Sequence, residues 1–199
     1  MKPVKEETKE TILLSAMTLF WERGITETSV NEVAYHAGVT RVTVYRYFAD
    51  KQNLVRETFL RVEQVFQNAL AELKHNPRVD WKSVLVQIGE GLSALPPGDV
   101  YARSNELKRL YPDVYTSIQE TRVATLNSIF DHLFVMAERQ GSLRQGLNRP
   151  IVHAIFWELI INFFDNPRFD SFGLSDAELY RAMTDILLYG ILKSEPTET

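Results

Sequence analysis

A chain of 199 residues with 45% apolar side chains can bury a sizeable core in one or two domains, which excludes both a disordered chain and a mini-scaffold. Twenty-two basic against 26 acidic residues leave a net charge of −4, so the total gives no reason to expect nucleic acid or an anionic membrane, although a total can conceal a local patch. The absence of cysteine excludes a disulfide framework, thiolate zinc sites and cysteine nucleophiles, and fits a reducing compartment.

The opening MKPVKEETKE has no apolar stretch of the kind a secretory signal carries. The richest run, IVHAIFWELIINFF, is shorter than the roughly 18 to 20 apolar residues of a membrane span and contains Glu158 and Asn162. The expectation is a cytoplasmic protein with no membrane partner. Apolar residues recur at three and four almost throughout, interrupted by only nine Gly and eight Pro, and the chain reads as all-α with about nine helices.

The first helix is expected from about Glu6 to Arg23, ended by Gly24. Ser29 and Glu32 have capping-box spacing at the start of a second helix, Gly38 stops it, and Thr40 caps a third helix through Phe48. Asp50 caps a long fourth helix, Lys51 to about His75, closed by Asn76-Pro77. A fifth runs from about Asp80 to Ala94, and Pro96-Pro97-Gly98 breaks the chain before a sixth to about Leu110. The seventh spans Pro112 to Gln140 and the eighth starts near Pro150 and ends by Asn166-Pro167. The ninth begins at a second capping box, Ser175 to Glu178. Short helices give way to long ones near residue 50, which divides the chain into an N-terminal domain, residues 1–50, and a larger helical domain, residues 51–199.

Between Ser29 and Lys51, SVNEVAYHAGVTRVTVYRYFADK reads as two short helices joined by a tight Gly turn, the grammar of a helix-turn-helix. Ala34 leaves room where the helices cross and Gly38 supplies a positive φ. With Val33, Ala37, Val39, Val44 and Phe48 turned inward, Thr40, Arg41, Val42, Tyr45 and Arg46 project from the second helix, whose N-terminal end would enter a major groove. Charge follows this division. Residues 1–61 hold nine basic against eight acidic groups, and from Val39 to Arg56 four basic residues face Asp50 alone. A solvated helix face and ordinary aromatic packing of Tyr45 and Tyr47 are the plainer alternatives.

The first helix ending in LFWERG, followed by TSVNEVAYHAGVTRVTVYRYFADKQNLV, resembles the N-terminal domain of the TetR (tetracycline-repressor-like) transcriptional regulators over about residues 8 to 60. The resemblance rests on Gly24, Ala34, Gly38, Val39, the run Tyr45 to Phe48 and Lys51, and beyond residue 60 only length and helical layout agree. It implies that Arg41, Val42 and Tyr45 meet base edges, and that Ser29, Thr40, Thr43, Arg46, Tyr47 and Lys51 meet phosphates. Val42 departs from the small residue or Pro common at its position, which makes contact with a thymine methyl an option. The implied partner is a pseudo-palindromic double-stranded operator bound by a homodimer.

In the larger domain the eighth helix is apolar over most of its circumference, too much to satisfy against one neighbour. Ile155, Leu159 and Phe163, with Ala182, Ile186 and Gly190 of the ninth helix, form the expected dimer face, favoured by the resemblance over a wholly internal core. Phe59, Phe66, Leu126 and Phe130 could wall a pocket for a small apolar or amphipathic effector, or could be plain core. Arg122 lies on an apolar face and needs a partner, either Glu158 or a ligand carboxylate, and Tyr101 and Arg103 could gate such a site.

Enzymatic motifs are missing: there is no P-loop, GxSxG or HExxH, and His36, His75, His132 and His153 are scattered. No catalysis, metal or cofactor is expected. The reading is a ligand-released transcriptional repressor, with an effector-independent dimeric DNA-binding regulator as the alternative.

Overall fold

The computed structural model describes residues 3–76, 78–94, 96, 100–158, 173 and 176–191. Within them the chain is all-α, with nine helices and no strands. They are α1 (Pro3–Arg23), α2 (Val30–His36), α3 (Arg41–Phe48), α4 (Lys51–His75), α5 (Trp81–Ser93), α6 (Val100–Leu110), α7 (Pro112–Arg139), α8 (Arg149–Phe156) and α9 (Asp176–Ile191). Helix boundaries fall where the caps predict them. Gly24 ends α1 at φ +98°, a conformation that a side chain with Cβ adopts at a cost. Ser29 Oγ accepts from the Glu32 amide at 3.2 Å while the Glu32 carboxylate accepts from the Ser29 amide at 2.7 Å, completing the expected capping box. Thr40 caps α3, the Asp50 carboxylate accepts from the Asn53 amide at 2.7 Å at the start of α4, and Asp80 caps α5.

The chain groups into two compact units. The first contains residues 1–64 and 95–120, the second residues 65–94 and 121–199. The first unit has a continuous core of Ile12, Ala16, Phe20 and Ile25 with Val33, Val44, Phe48, Leu54 and Val55, joined by Leu107 and Val114. Trp21 lies against Phe59 with ring centroids 5.0 Å apart. Two ion pairs, Lys9 with Glu57 and Glu10 with Arg61, tie α1 to α4 across the surface of this core.

In the second unit α5 packs against α9, with Tyr180 of α9 3.8 Å from where a Cβ on Gly89 would lie. Burial raises the Tyr180 hydroxyl far above its ordinary range, although a hydrogen bond with Thr184 acts the other way. Phe130 and Phe134 of α7 meet Val152 and Phe156 of α8, and the His153 ring, edge-on to Phe130, shares a 2.9 Å hydrogen bond with Asn127. His132 is half-buried and bonded at 2.7 Å to the Ser128 carbonyl. Helix α8 runs to Phe156, and Trp157 and Glu158 continue it as a π-type turn, while the expected continuation from residue 159 to Asn166 lies outside the described residues, as does the Ser175 cap of α9.

Candidate nucleic-acid interface

Helices α2 and α3 form the expected pair. Val33 and Val44 are fully buried between them and Phe48 nearly so, with Ala37 and Val39 packed at the edge. The Val39 amide donates to the Ala34 carbonyl at 2.9 Å and Gly38 takes φ +66°, which folds the turn tightly enough for α3 to cross α2 at the small Ala34. The first unit thus buries one face of α3 and leaves the other in solvent.

That outer face carries the expected side chains. Arg41 and Arg46 are exposed, and Val42 is 77% exposed, a large apolar side chain with no packing purpose in the free protein. Tyr45 is half-buried, so part of its ring serves the core, as the plainer alternative holds. Its hydroxyl accepts from the Arg41 guanidinium at 3.2 Å, and that guanidinium lies 5.2 Å from the ring centroid. One turn of helix separates the two residues, and their contact restrains an otherwise mobile Arg before any partner arrives. Arg46 similarly lies 5.6 Å from the half-buried Tyr47 ring. Thr40 and Thr43 share a hydroxyl hydrogen bond of 2.9 Å at the N-terminus of α3, and Ser29 is exposed at that of α2. Arginine, hydroxyl and exposed helix N-termini on one small unit are the donors that phosphate and base edges require.

Lys51 is placed differently from the others. Its ammonium is half-buried and donates to the Ile25 carbonyl at 2.7 Å. Burial pulls its pKa below the usual lysine value, while the Glu106 and Glu32 charges act the other way. One of its three donors is therefore committed within the protein. The Glu32 carboxyl is held below its ordinary range, first by the Ser29 amide and then by the Ser29 hydroxyl.

The other expected residues lie elsewhere. Phe59, Phe66, Leu126 and Phe130 are at most 6% exposed and belong to the packed interior. Arg122 is 7% exposed, whereas Glu158 is exposed. Arg103 is ion-paired with Glu106 at 2.9 Å, and Tyr101 lies in α6 with only its backbone described. Ile155, Ala182, Ile186 and Gly190 are exposed, and Leu159 and Phe163 lie outside the described residues. Two features escaped sequence reasoning. Tyr35 of α2 is 90% exposed, and Glu106 reaches back to the residues after α1, contacts 81 and 80 positions apart that no local pattern announces.

A capped first helix, a Gly turn and a second helix with one face left to solvent define a helix-turn-helix domain of the DNA-binding class. Residues 12–58 match the family model for bacterial regulatory proteins of the tetR family. Forty-eight residues are 46% identical to the HTH-type transcriptional repressor BepR of Brucella suis biovar 1 (strain 1330), covering 24% of this chain and 23% of that protein. Fifty-six residues are 43% identical to the HTH-type transcriptional regulator AcrR of Shigella flexneri, covering 28% and 26%. The matched segments span about a quarter of the length of these curated relatives. Over the whole fold, 96% of the chain superposes on 99% of a crystallised HlyIIR mutant protein with a TM-score of 0.63 at 21% identity, a likeness of fold alone.

Among the described residues no helix is long and apolar enough to cross a membrane, and no cluster of three His, Cys, Asp or Glu could hold a metal ion.

Proposed function

We propose that the chain is a sequence-specific DNA-binding transcriptional repressor that acts in the cytoplasm as a homodimer on a pseudo-palindromic operator. The observation that carries this reading is the solvent face of α3, where Arg41 is restrained by Tyr45 beside an exposed Val42 in a segment that matches the tetR family model. Arg41, Val42 and Tyr45 read base edges, while Ser29, Thr40, Thr43, Arg46, Tyr47 and the remaining donors of Lys51 hold phosphates. In functional terms residues 1–50 bind DNA and residues 51–199 dimerise and respond to a small apolar or amphipathic effector. A repressor by name, BepR, supports repression over activation.

The test is in vitro selection of duplexes by the full chain, followed by binding of Arg41→Ala to the recovered duplex. The substitution is expected to cost about 1 to 3 kcal/mol and to relax one base position, because a bidentate base contact is lost. Uniform weakening across all duplexes would instead assign Arg41 to phosphate.

The second reading, a regulator without effector, draws support from the burial of Phe59, Phe66, Leu126 and Phe130 as ordinary core. Thermal unfolding against a metabolite library separates the two, since an effector that binds only the folded chain at about 100 times its Kd stabilises it by about 2.7 kcal/mol.

A further inference from the structure

Ile25 and Thr26, which follow Gly24 at the end of α1, are held from two directions. Glu106 of α6 accepts from the Ile25 amide at 2.9 Å and from the Thr26 amide at 2.7 Å. Arg103, one turn earlier, donates to the same carboxylate at 2.9 Å and fixes its orientation. From the other side, Lys51 at the start of α4 donates to the Ile25 carbonyl. The Arg109 guanidinium reaches the Thr26 hydroxyl at 3.4 Å.

Gly24 makes this arrangement sterically possible. A Cβ there would stand 2.2 Å from an Arg103 guanidinium nitrogen and 3.0 Å from a Glu106 carboxylate oxygen. The glycine therefore serves both the turn at φ +98° and the close approach of the Arg103–Glu106 pair. All of these groups lie in the first compact unit, and the pair is only 20% and 13% exposed at its side chains. A surface ion pair would contribute little, but this one spends its carboxylate on two main-chain donors that would otherwise need water.

We infer that Glu106, oriented by Arg103, is a positioning residue for DNA reading: by binding the Ile25 and Thr26 amides it fixes the link from α1 to α2. The inference rests on the DNA-reading proposal above. Helix α2 starts four residues beyond Thr26, and α3 is locked to α2 through Val33, Ala34 and Val39. Val33, Val44 and Phe48 share a core with α1 and α4, so a loosened link allows small tilts of the α2–α3 pair within that core rather than its release. Loss of the clasp consequently penalises specific binding, which needs one orientation, far more than non-specific phosphate contact, which tolerates many.

The test uses the full chain, the duplex recovered by in vitro selection and a scrambled duplex of equal length. Glu106→Ala is expected to weaken the selected complex by about tenfold, the scale of losing a charge-assisted hydrogen bond pair. Binding to the scrambled duplex and its salt slope should not change, and the Ile25 and Thr26 amides should exchange with solvent faster than in the wild type. Glu106→Gln, whose amide oxygen still accepts, should recover part of the loss and carries the comparison if the Ala variant fails to fold. Fast exchange at both amides with unchanged affinity for the selected duplex would overturn the positioning role, as would equal weakening on both duplexes. Failure of the wild-type chain to enrich any duplex would overturn the DNA-reading proposal itself, and the clasp as a device for DNA reading with it.

Discussion

The Glu106 carboxyl sits between opposing influences. Burial acts to raise its pKa, but hydrogen bonds from Thr26 and Ile25 and the Arg103 charge outweigh it and hold the group below the ordinary value of 4.5. A carboxyl depressed in the folded state stabilises that state fully above its unfolded pKa, and the contribution is lost as pH falls through the lower folded value. Lys51, the other charge on the link, has its pKa lowered mainly by burial, with the Glu106 and Glu32 charges acting the other way. The difference in stability between wild type and Glu106→Gln should therefore be constant through neutral pH and narrow below about pH 4.5, measured by urea unfolding at pH 7 and pH 4. A gap of the same size at both values would mean that shape, not charge, carries the contribution. The exposure of Arg41, Val42 and Arg46 on α3 was legible because each lies within two turns of the Thr40 cap that orients the helix. Glu106 was not, since its partners are 80 and 81 positions away and its nearest sequence signal, the i,i+3 spacing from Arg103, is that of any surface pair.

At the scale of elements, the corner between α3 and α4 is the most strained stretch of the reading head. Ala49 has φ +61° and ψ −49°, and the Asp50 amide donates to the Phe48 carbonyl at 2.6 Å, a γ-turn of the disfavoured hand. Such a conformation costs a residue with Cβ about 1 to 3 kcal/mol, whereas glycine adopts it freely and adds only about 0.5 to 1 kcal/mol of unfolded-state entropy. Ala49→Gly is accordingly expected to raise stability, or at worst leave it level, in urea unfolding; a loss above about 1 kcal/mol would show that the corner is relaxed. Sequence patterns announced every helix but not this turn. Asp50 signalled the start of α4 through its cap, while an Ala between two helices carries no propensity for positive φ. Helix limits were readable for the same reason that the turn was not: Ser29, Thr40, Asp50 and Asp80 act on their own neighbours, and a cap is a local bond.

At the scale of the molecule, the all-α layout followed from periodicity, but the grouping of helices did not. Helix α4 begins in one compact unit and continues in the other, and α6 belongs with α1 to α3, contacts set by long-range packing that periodicity along one helix does not encode. Self-association belongs to this scale too. Ile155 is 47% and Ile186 67% exposed, apolar faces that a second copy would cover in the proposed dimer. Gly190 offers a clean probe of that proposal. It lies exposed in α9, no other described atom falls within 4 Å of where its Cβ would stand, and its carbonyl, which accepts from Arg144 at 2.9 Å, belongs to the main chain. Among the described residues nothing obstructs a Cβ there, and glutamate is a better helix former than glycine by roughly 0.5 kcal/mol or more. A loss of assembly with the fold kept is then the mark of a charge placed against a partner. Gly190→Glu is expected to sediment as a monomer at micromolar concentration with its helical content intact, and to bind a half-site as the wild type does while losing the gain from two half-sites about 34 Å apart. A variant that remains a dimer would move the interface away from this end of α9, and a wild-type monomer at the same concentration would remove the dimer altogether.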